Sequence, residues 1–263
     1  MEQIILGIVQ GIAEWLPVSS EAALVLVKIN IFGSSQSLSQ ILKEALFLHL
    51  GTFLAALVYF RNDVLQLFKS ASTFKKSDQE TKGLLVFLVL STAISGLIGF
   101  FVLKIIDNTT INLETAGKTV TLIIGLLLII TGGLQIKSKN SGARKIIDLK
   151  ISDGVLLGLV QGLASFPGLS RSGTTVSALL LKKFDKKTAL KLSFLMSLPI
   201  VLIGNILLNV GDLALKGGSL LGLASSFVFG IATIHLLLKL AQKINFGIFV
   251  IGFGILTIGS CFV

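Results

Sequence analysis

The chain alternates long apolar runs with short polar interruptions. Runs at 44–60, 83–103, 118–136, 188–210, 219–238 and 246–263 carry almost no charge. At 1.5 Å of rise per residue, helices of this length cross a hydrocarbon layer of about 30 Å. Each is therefore predicted as a transmembrane helix. Two further apolar regions, 4–27 and 151–181, are broken: the first by Pro17, Ser19, Ser20 and Glu21, the second by the stretch FPGLSRSGTT. Proline inside a helix frees backbone groups, which in lipid must be satisfied by protein or water. Both regions are predicted as re-entrant helical hairpins buried in a bundle. The expected fold is an all-α polytopic membrane protein.

The two broken regions share a phrase. LGIVQGIAEWLPVSS starts at residue 6 and LGLVQGLASFPGLSRSG at residue 157. Lys and Arg crowd the connections 61–82, 137–150 and 182–187, whereas 104–117 and 211–218 hold one Lys each. Basic connections stay on the cytoplasmic side. Threading the chain accordingly brings the first hairpin in from outside and the second from inside. Each half then reads as one hairpin followed by three crossings, and an odd number of crossings inverts the second copy. An inverted-topology repeat follows, about 1–136 and 151–263, joined by the basic cytoplasmic loop 137–150. Both termini are expected outside a plasma membrane, and the hairpins should meet near the bilayer middle, where such folds place substrate sites.

Composition agrees. Of 263 residues 53% are hydrophobic and 14% charged, against about 25% charged in a soluble domain. The basic residues behind the net charge of +10 lie in short loops between apolar spans rather than on an extended surface with aromatics, which argues against nucleic acid and for orientation against the bilayer. The start, MEQIILGIVQ, lacks the basic opening of a signal peptide. Cys261, the single cysteine, is read as a small core residue.

Chemistry concentrates in the two breaks. Gln10 and Glu14 are four apart, hence on one helix face. An ionisable residue at membrane depth is a functional candidate facing the bundle interior. Gln161 and Ser165 hold the corresponding places in the second copy. There Arg171, between Ser170 and Ser172 and followed by Gly173 and Thr174, supplies a forked permanent donor at a predicted helix start, suited to phosphate oxygens. A carboxylate facing such an anion seat across a cavity suggests phosphate ester or diphosphate chemistry with a divalent cation between them. Ser20 and Ser170 are candidate nucleophiles, but no histidine is near them in sequence. His49 either faces the cavity or has a structural place in its span, the second being preferred. His235 is assigned to packing or a helix-to-helix hydrogen bond. Trp15 and Phe166, beside the two turns, are read as core packing in preference to isoprenoid contact, and Gly7, Gly11, Gly158 and Gly162 as close helix contacts.

QGIAEWLPVSS, LFLHLGTFLAALVYFRNDV, LVQGLASFPGLSRSGTT and LSFLMSLPIVLIG together resemble the signature blocks of the undecaprenyl-diphosphatase family, nearly end to end. The resemblance implies a bacitracin-resistance type phosphatase that hydrolyses a polyprenyl diphosphate to the monophosphate, recycling a lipid carrier for envelope glycan synthesis. It implies Glu14 as catalytic carboxylate, Gln10 as its partner, Ser20 as the first-motif serine, and Ser170, Arg171 and Ser172 as phosphate binders. Ser19, Glu21, Gln161, Gly173 and Thr174 complete the expected substrate contacts. Mg2+ or Ca2+ is the expected cofactor, on Glu14 and Glu21, and a homodimer the expected assembly. One departure stands out: Ala23 holds the place of the family's histidine, while Glu21 adds an acid that would take over proton transfer or metal binding, or would mark an inactive member. The rival reading from the architecture is a polyprenyl-phosphate or small-anion transporter or flippase.

Overall fold

The computed structural model describes residues 1–16, 18–108, 113–138, 142–166, 168–209, 217–240 and 246–259. The prolines of both breaks, Pro17 and Pro167, lie outside this set, as do Cys261 and parts of the sparse connections. Eleven α-helices are described: α1 (Glu2–Ala13), α2 (Ser20–Asn30), α3 (Leu38–Tyr59), α4 (Arg61–Ser72), α5 (Gln79–Asn108), α6 (Leu113–Lys137), α7 (Ile151–Leu163), α8 (Arg171–Leu181), α9 (Lys186–Asn209), α10 (Gly217–Leu240) and α11 (Phe246–Gly259). One isolated β bridge pairs Arg144 with Phe184.

Five of the helices are long and apolar enough to cross a membrane: Leu38–Tyr59, Gln79–Ile106, Lys118–Lys137, Lys186–Leu207 and Ser219–Leu236. They correspond to five of the six expected crossings. The sixth, α11, is a described helix of 14 residues, and the rest of its predicted run falls outside the described set. The long helices turn apolar side chains outward, for instance Val89, Leu97, Phe100 and Phe101 on α5. Water would oppose such faces and lipid accepts them. The predicted spans also underestimated lengths. α3 starts at Leu38 because Ser37 and Gln40 form a reciprocal capping box there. α9 is capped by Asp185, which stands just before its first residue and whose carboxylate accepts from the Thr188 N–H (3.0 Å) and hydroxyl (2.7 Å). Burial works against that carboxyl, but these two donors hold it below the usual range.

Both broken regions are helical hairpins: α1 and α2 in front, α7 and α8 behind. α1 packs along α10 and α7 along α5, so each hairpin leans on a long helix from the other half of the chain. Glycine permits this closeness. A Cβ at Gly7 would stand 2.1 Å from the Gly222 carbonyl oxygen, and one at Gly11 2.8 Å from that of Ser226. On the other side, Gly158 and Gly162 meet Ile94 and Ile98. The architectural reading of these four glycines holds. Gly7→Leu is expected to cost about 1–3 kcal/mol of stability by overpacking, seen as a lower unfolding midpoint in detergent. Gly83→Ala, where a Cβ meets nothing within 4 Å, should cause no such loss.

Each hairpin is closed at its mouth by charge. In front, the buried Lys28 at the end of α2 bridges Glu2 (2.6 Å) and Glu44 (2.8 Å). Behind, the fully buried Asp153 at the start of α7 takes Arg144 (2.6 Å) and Lys182 (3.5 Å). Burying a charge is costly unless it is paired and hydrogen-bonded, so these clusters pin the hairpin ends and leave the turns to define the site.

Candidate active site

The two turns touch. α1 runs out after Ala13 and the chain re-enters helix at Ser20, whose N-cap Ser19 accepts from the Ala22 N–H at 3.2 Å. The rear turn ends at Ser170, which caps α8 by accepting from the Gly173 N–H at 3.1 Å. Two hydrogen bonds tie the turns together. Gly168 N–H donates to Ser19 Oγ at 3.2 Å, and Ser172 Oγ donates to the Leu16 carbonyl at 3.0 Å. Gly168 has a φ of +100°, a conformation that side chains with a Cβ rarely adopt. Ser19 and Ser172 thus act here as braces.

The braces bring Glu14 and Arg171 into contact. Arg171 Nη2 donates to Glu14 Oε1, the single ion pair between the hairpins among the described residues. The expectation placed these groups on opposite sides of a cavity; the structure has them in direct contact. Glu14 Oε2 has partners of its own: Gln10 Nε2 at 3.0 Å, Ser20 Oγ at 2.8 Å and His49 Nε2 at 3.0 Å. Gln10, Glu14, Ser20 and His49 are all buried. Donors from Gln10, Ser20 and Arg171, with the His49 ring beside them, hold the carboxylate in one place.

His49 was read as structural, yet it stands against both Glu14 and Ser20. Its Nε2 is 3.5 Å from Ser20 Oγ and 3.9 Å from Glu21 Oε1. Spacing along the chain could not show this, because His49 belongs to α3 and reaches the hairpin only through packing. The available sign was a polar ring flanked by leucines in FLHLGT. Ser193 was also not singled out; its hydroxyl meets that of Thr175 at 2.7 Å and couples α8 to α9. Gln161 takes a different direction from its counterpart Gln10. Its amide donates to Ser95 Oγ on α5 at 3.0 Å and toward the Met196 carbonyl on α9 at 3.5 Å. Thr174 Oγ1 donates to the Ser170 carbonyl at 2.8 Å, within its own helix start.

The remaining aromatics and histidine behave as packing. Trp15 sets its ring edge-on against Phe194 at 5.1 Å, inside the apolar core, and Phe166 packs on the core beside α2 and α6. His235 on α10 meets Tyr59 of α3, hydroxyl to Nδ1, at 3.5 Å.

A resident cation fits poorly on Glu14, since donors already take up both its oxygens. Among the described residues no three His, Cys, Asp or Glu side chains gather as a ligand set. Two acceptors nearby are less committed. Glu21 keeps 28% of its side chain exposed, and Gln10 Oε1 is buried without a hydrogen-bond partner.

Comparison with known proteins gives this cluster its context. Residues 3–258 match the family described as bacitracin resistance protein BacA. An undecaprenyl-diphosphatase of Methanococcoides burtonii is 44% identical, the match covering 99% of this chain and 98% of that one. Proteins of the same name from Methanothrix thermoacetophila and Desulforudis audaxviator are 36% and 35% identical, covering 98% and 95% of this chain and 95% and 92% of theirs. The two hairpin turns, the acid and the arginine all fall inside the matched span, and the chain belongs to the bacitracin resistance protein BacA family.

Proposed function

We propose that this protein is a membrane-embedded phosphatase that hydrolyses undecaprenyl diphosphate, or a related polyprenyl diphosphate, to the monophosphate and phosphate. The observation that carries the reading is the contact of Glu14 with Arg171 between the two hairpin turns. It is joined by the names of relatives that match the chain from end to end. A transporter has no comparable support, and none of those relatives is named as one.

In this reading the diphosphate head enters between the turns and the lipid tail lies among the apolar helix faces. Arg171, at the start of α8, exchanges Glu14 for phosphate oxygens, and the first N–H groups of that helix lend further donors. Ser170, Ser172, Gly173 and Thr174 shape this helix start. Fixed donors facing the oxygens on which charge accumulates lower the barrier for attack at phosphorus. Gln10 holds Glu14 in line, and Ser20 supplies or orients the attacking hydroxyl. Glu21, whose carboxylate is partly exposed beside the turn, would be the acid to hold a divalent cation such as Mg2+ or Ca2+, which would supply charge neutralisation to the diphosphate oxygens.

The exchange of hairpins between halves supports an inverted repeat of about 1–136 and 151–263. So does the matching of Glu2 with Lys28 to Asp153 with Lys182. With the basic loops inside, both termini face outward from the plasma membrane.

The test is phosphate release from undecaprenyl diphosphate by the purified chain in detergent with Mg2+ or Ca2+. Release is the expected result. No release, together with movement of the head group across liposome membranes, would overturn the reading in favour of a carrier.

A further inference from the structure

We propose that α4 lies in the plane of the membrane surface and, with the turn that follows it, forms a binding face for anionic phospholipid headgroups at the basic end of the bundle. The edge of the bilayer falls beside it. α3 and α5, both long and apolar enough to span, stop at Tyr59 and start at Gln79, and α4 fills Arg61–Ser72 between them. A segment joining the ends of two spans stays within reach of the headgroup layer.

Its side chains divide by face. Val64 and Leu67 pack against the core that contains Phe60 and Leu84. Leu65 and Phe68, one turn apart and next round the helix from that strip, are 56% and 72% exposed. Phe74, in the 3₁₀ turn Phe74–Lys76, is exposed as well. Asn62 and Gln66 take the opposite face. Asp63 pairs with Lys191 of α9 at 2.5 Å, so the protein itself sets how the helix is rolled. The apolar strip therefore begins in the core and continues onto an open flank. Beside the end of a span, the acyl boundary of the bilayer is the cover that such a flank fits.

Charge selects the lipid. Arg61, Lys69, Lys75 and Lys76 are all exposed around the flank, with stems that can lie along apolar surface while their heads reach phosphate. The acids of the same connection are Asp63, Asp78 and Glu80. Asp63 is taken by Lys191, and Asp78 by the Thr81 N–H and hydroxyl at 2.8 and 2.7 Å. The rear connection repeats the pairing independently. Ile147 and Ile151 are exposed beside Lys150 and Lys183, which share an open cavity with Ile147, while Ile146 and Leu149 pack on the same core as Val64 and Leu67. One rim of the bundle thus carries two apolar and basic segments, the pattern that recognises an anionic membrane surface.

The experiment puts a reporter on this flank. Trp15 is the single tryptophan and is buried in the core, so Phe68→Trp, Leu65→Trp and Gln66→Trp each add one at the surface. The full-length parent and variants, selected as folded by elution and unfolding midpoint, are reconstituted into vesicles of phosphatidylcholine mixed with phosphatidylglycerol, one or the other carrying brominated chains. Expected is quenching well above the parent in Phe68→Trp and Leu65→Trp and little in Gln66→Trp. Phosphatidylglycerol should quench about three- to tenfold more effectively than phosphatidylcholine at low salt. That preference should vanish at high salt and on combining Arg61→Gln, Lys69→Gln, Lys75→Gln and Lys76→Gln, with quenching by phosphatidylcholine retained. Phe68→Trp and Leu65→Trp no more quenched than the parent, or all three variants quenched alike, overturn the in-plane helix. Equal quenching by the two lipids at low salt overturns the anionic headgroup face. None of these readouts depends on hydrolysis.

Discussion

Arg171→Ala is expected to lower kcat/KM for phosphate release by about 10³-fold, the range seen when a fixed cationic donor is removed from a phosphoryl or oxyanion site. The loss should fall on binding as well as turnover, because Arg171 is the charged group of the rear turn placed to meet the head. Inorganic pyrophosphate, used as a competing ligand, should lose affinity in parallel. The fold should survive. Glu14 retains Gln10, Ser20 and His49, and the turns remain tied through Ser19 with Gly168 and Ser172 with Leu16. Arg171→Lys is expected to recover only part of the activity, since an ammonium lacks the forked pair of donors. Arg171→Ala with parental activity would remove the anion seat from the site.

Glu14→Gln should give the opposite split. Hydrolysis is expected to fall on the order of 10²–10⁴-fold, because the neutral amide lacks the charge and the acid–base capacity of the carboxylate beside Ser20. Binding of pyrophosphate should be retained or tightened, since Arg171 no longer has a carboxylate to leave. The variant also strands a guanidinium beside a buried ring. A loss of about 2 kcal/mol is expected from the broken charged pair, less than for a fully buried pair because Arg171 keeps 18% of its side chain exposed. Isothermal titration with pyrophosphate, set against single-turnover phosphate release, separates the two effects. Equal loss of binding in Glu14→Gln and Arg171→Ala would contradict the division of labour between the turns.

Much of the architecture was legible because run length and interruption are properties of the chain itself. Uncharged stretches announced five of the long helices, and the polar breaks announced the hairpins. α4 was missed for a physical reason: Leu65 and Phe68 are exposed on a helix with no buried residues, so no apolar run advertises it. The acid, the serines and the arginine were legible from their cost at membrane depth. His49 was not, since its partners are 29 and 35 residues away on other helices. Gln161 shows the converse. It repeats Gln10 in sequence, yet its neighbours Ser95 and Met196 belong to helices packed differently around the second hairpin.

The resting partnership of Arg171 with Glu14 has a consequence for turnover. On the proposed reading, an incoming headgroup does not meet a bare positive charge; it must outbid a carboxylate that is permanently tethered beside it. A doubly phosphorylated head can do so, whereas a neutral or singly charged one gains little from the exchange. Once phosphorus is cleaved, the same tethered acid competes for the guanidinium again, which favours discharge of the product and resets the site without any outside ligand.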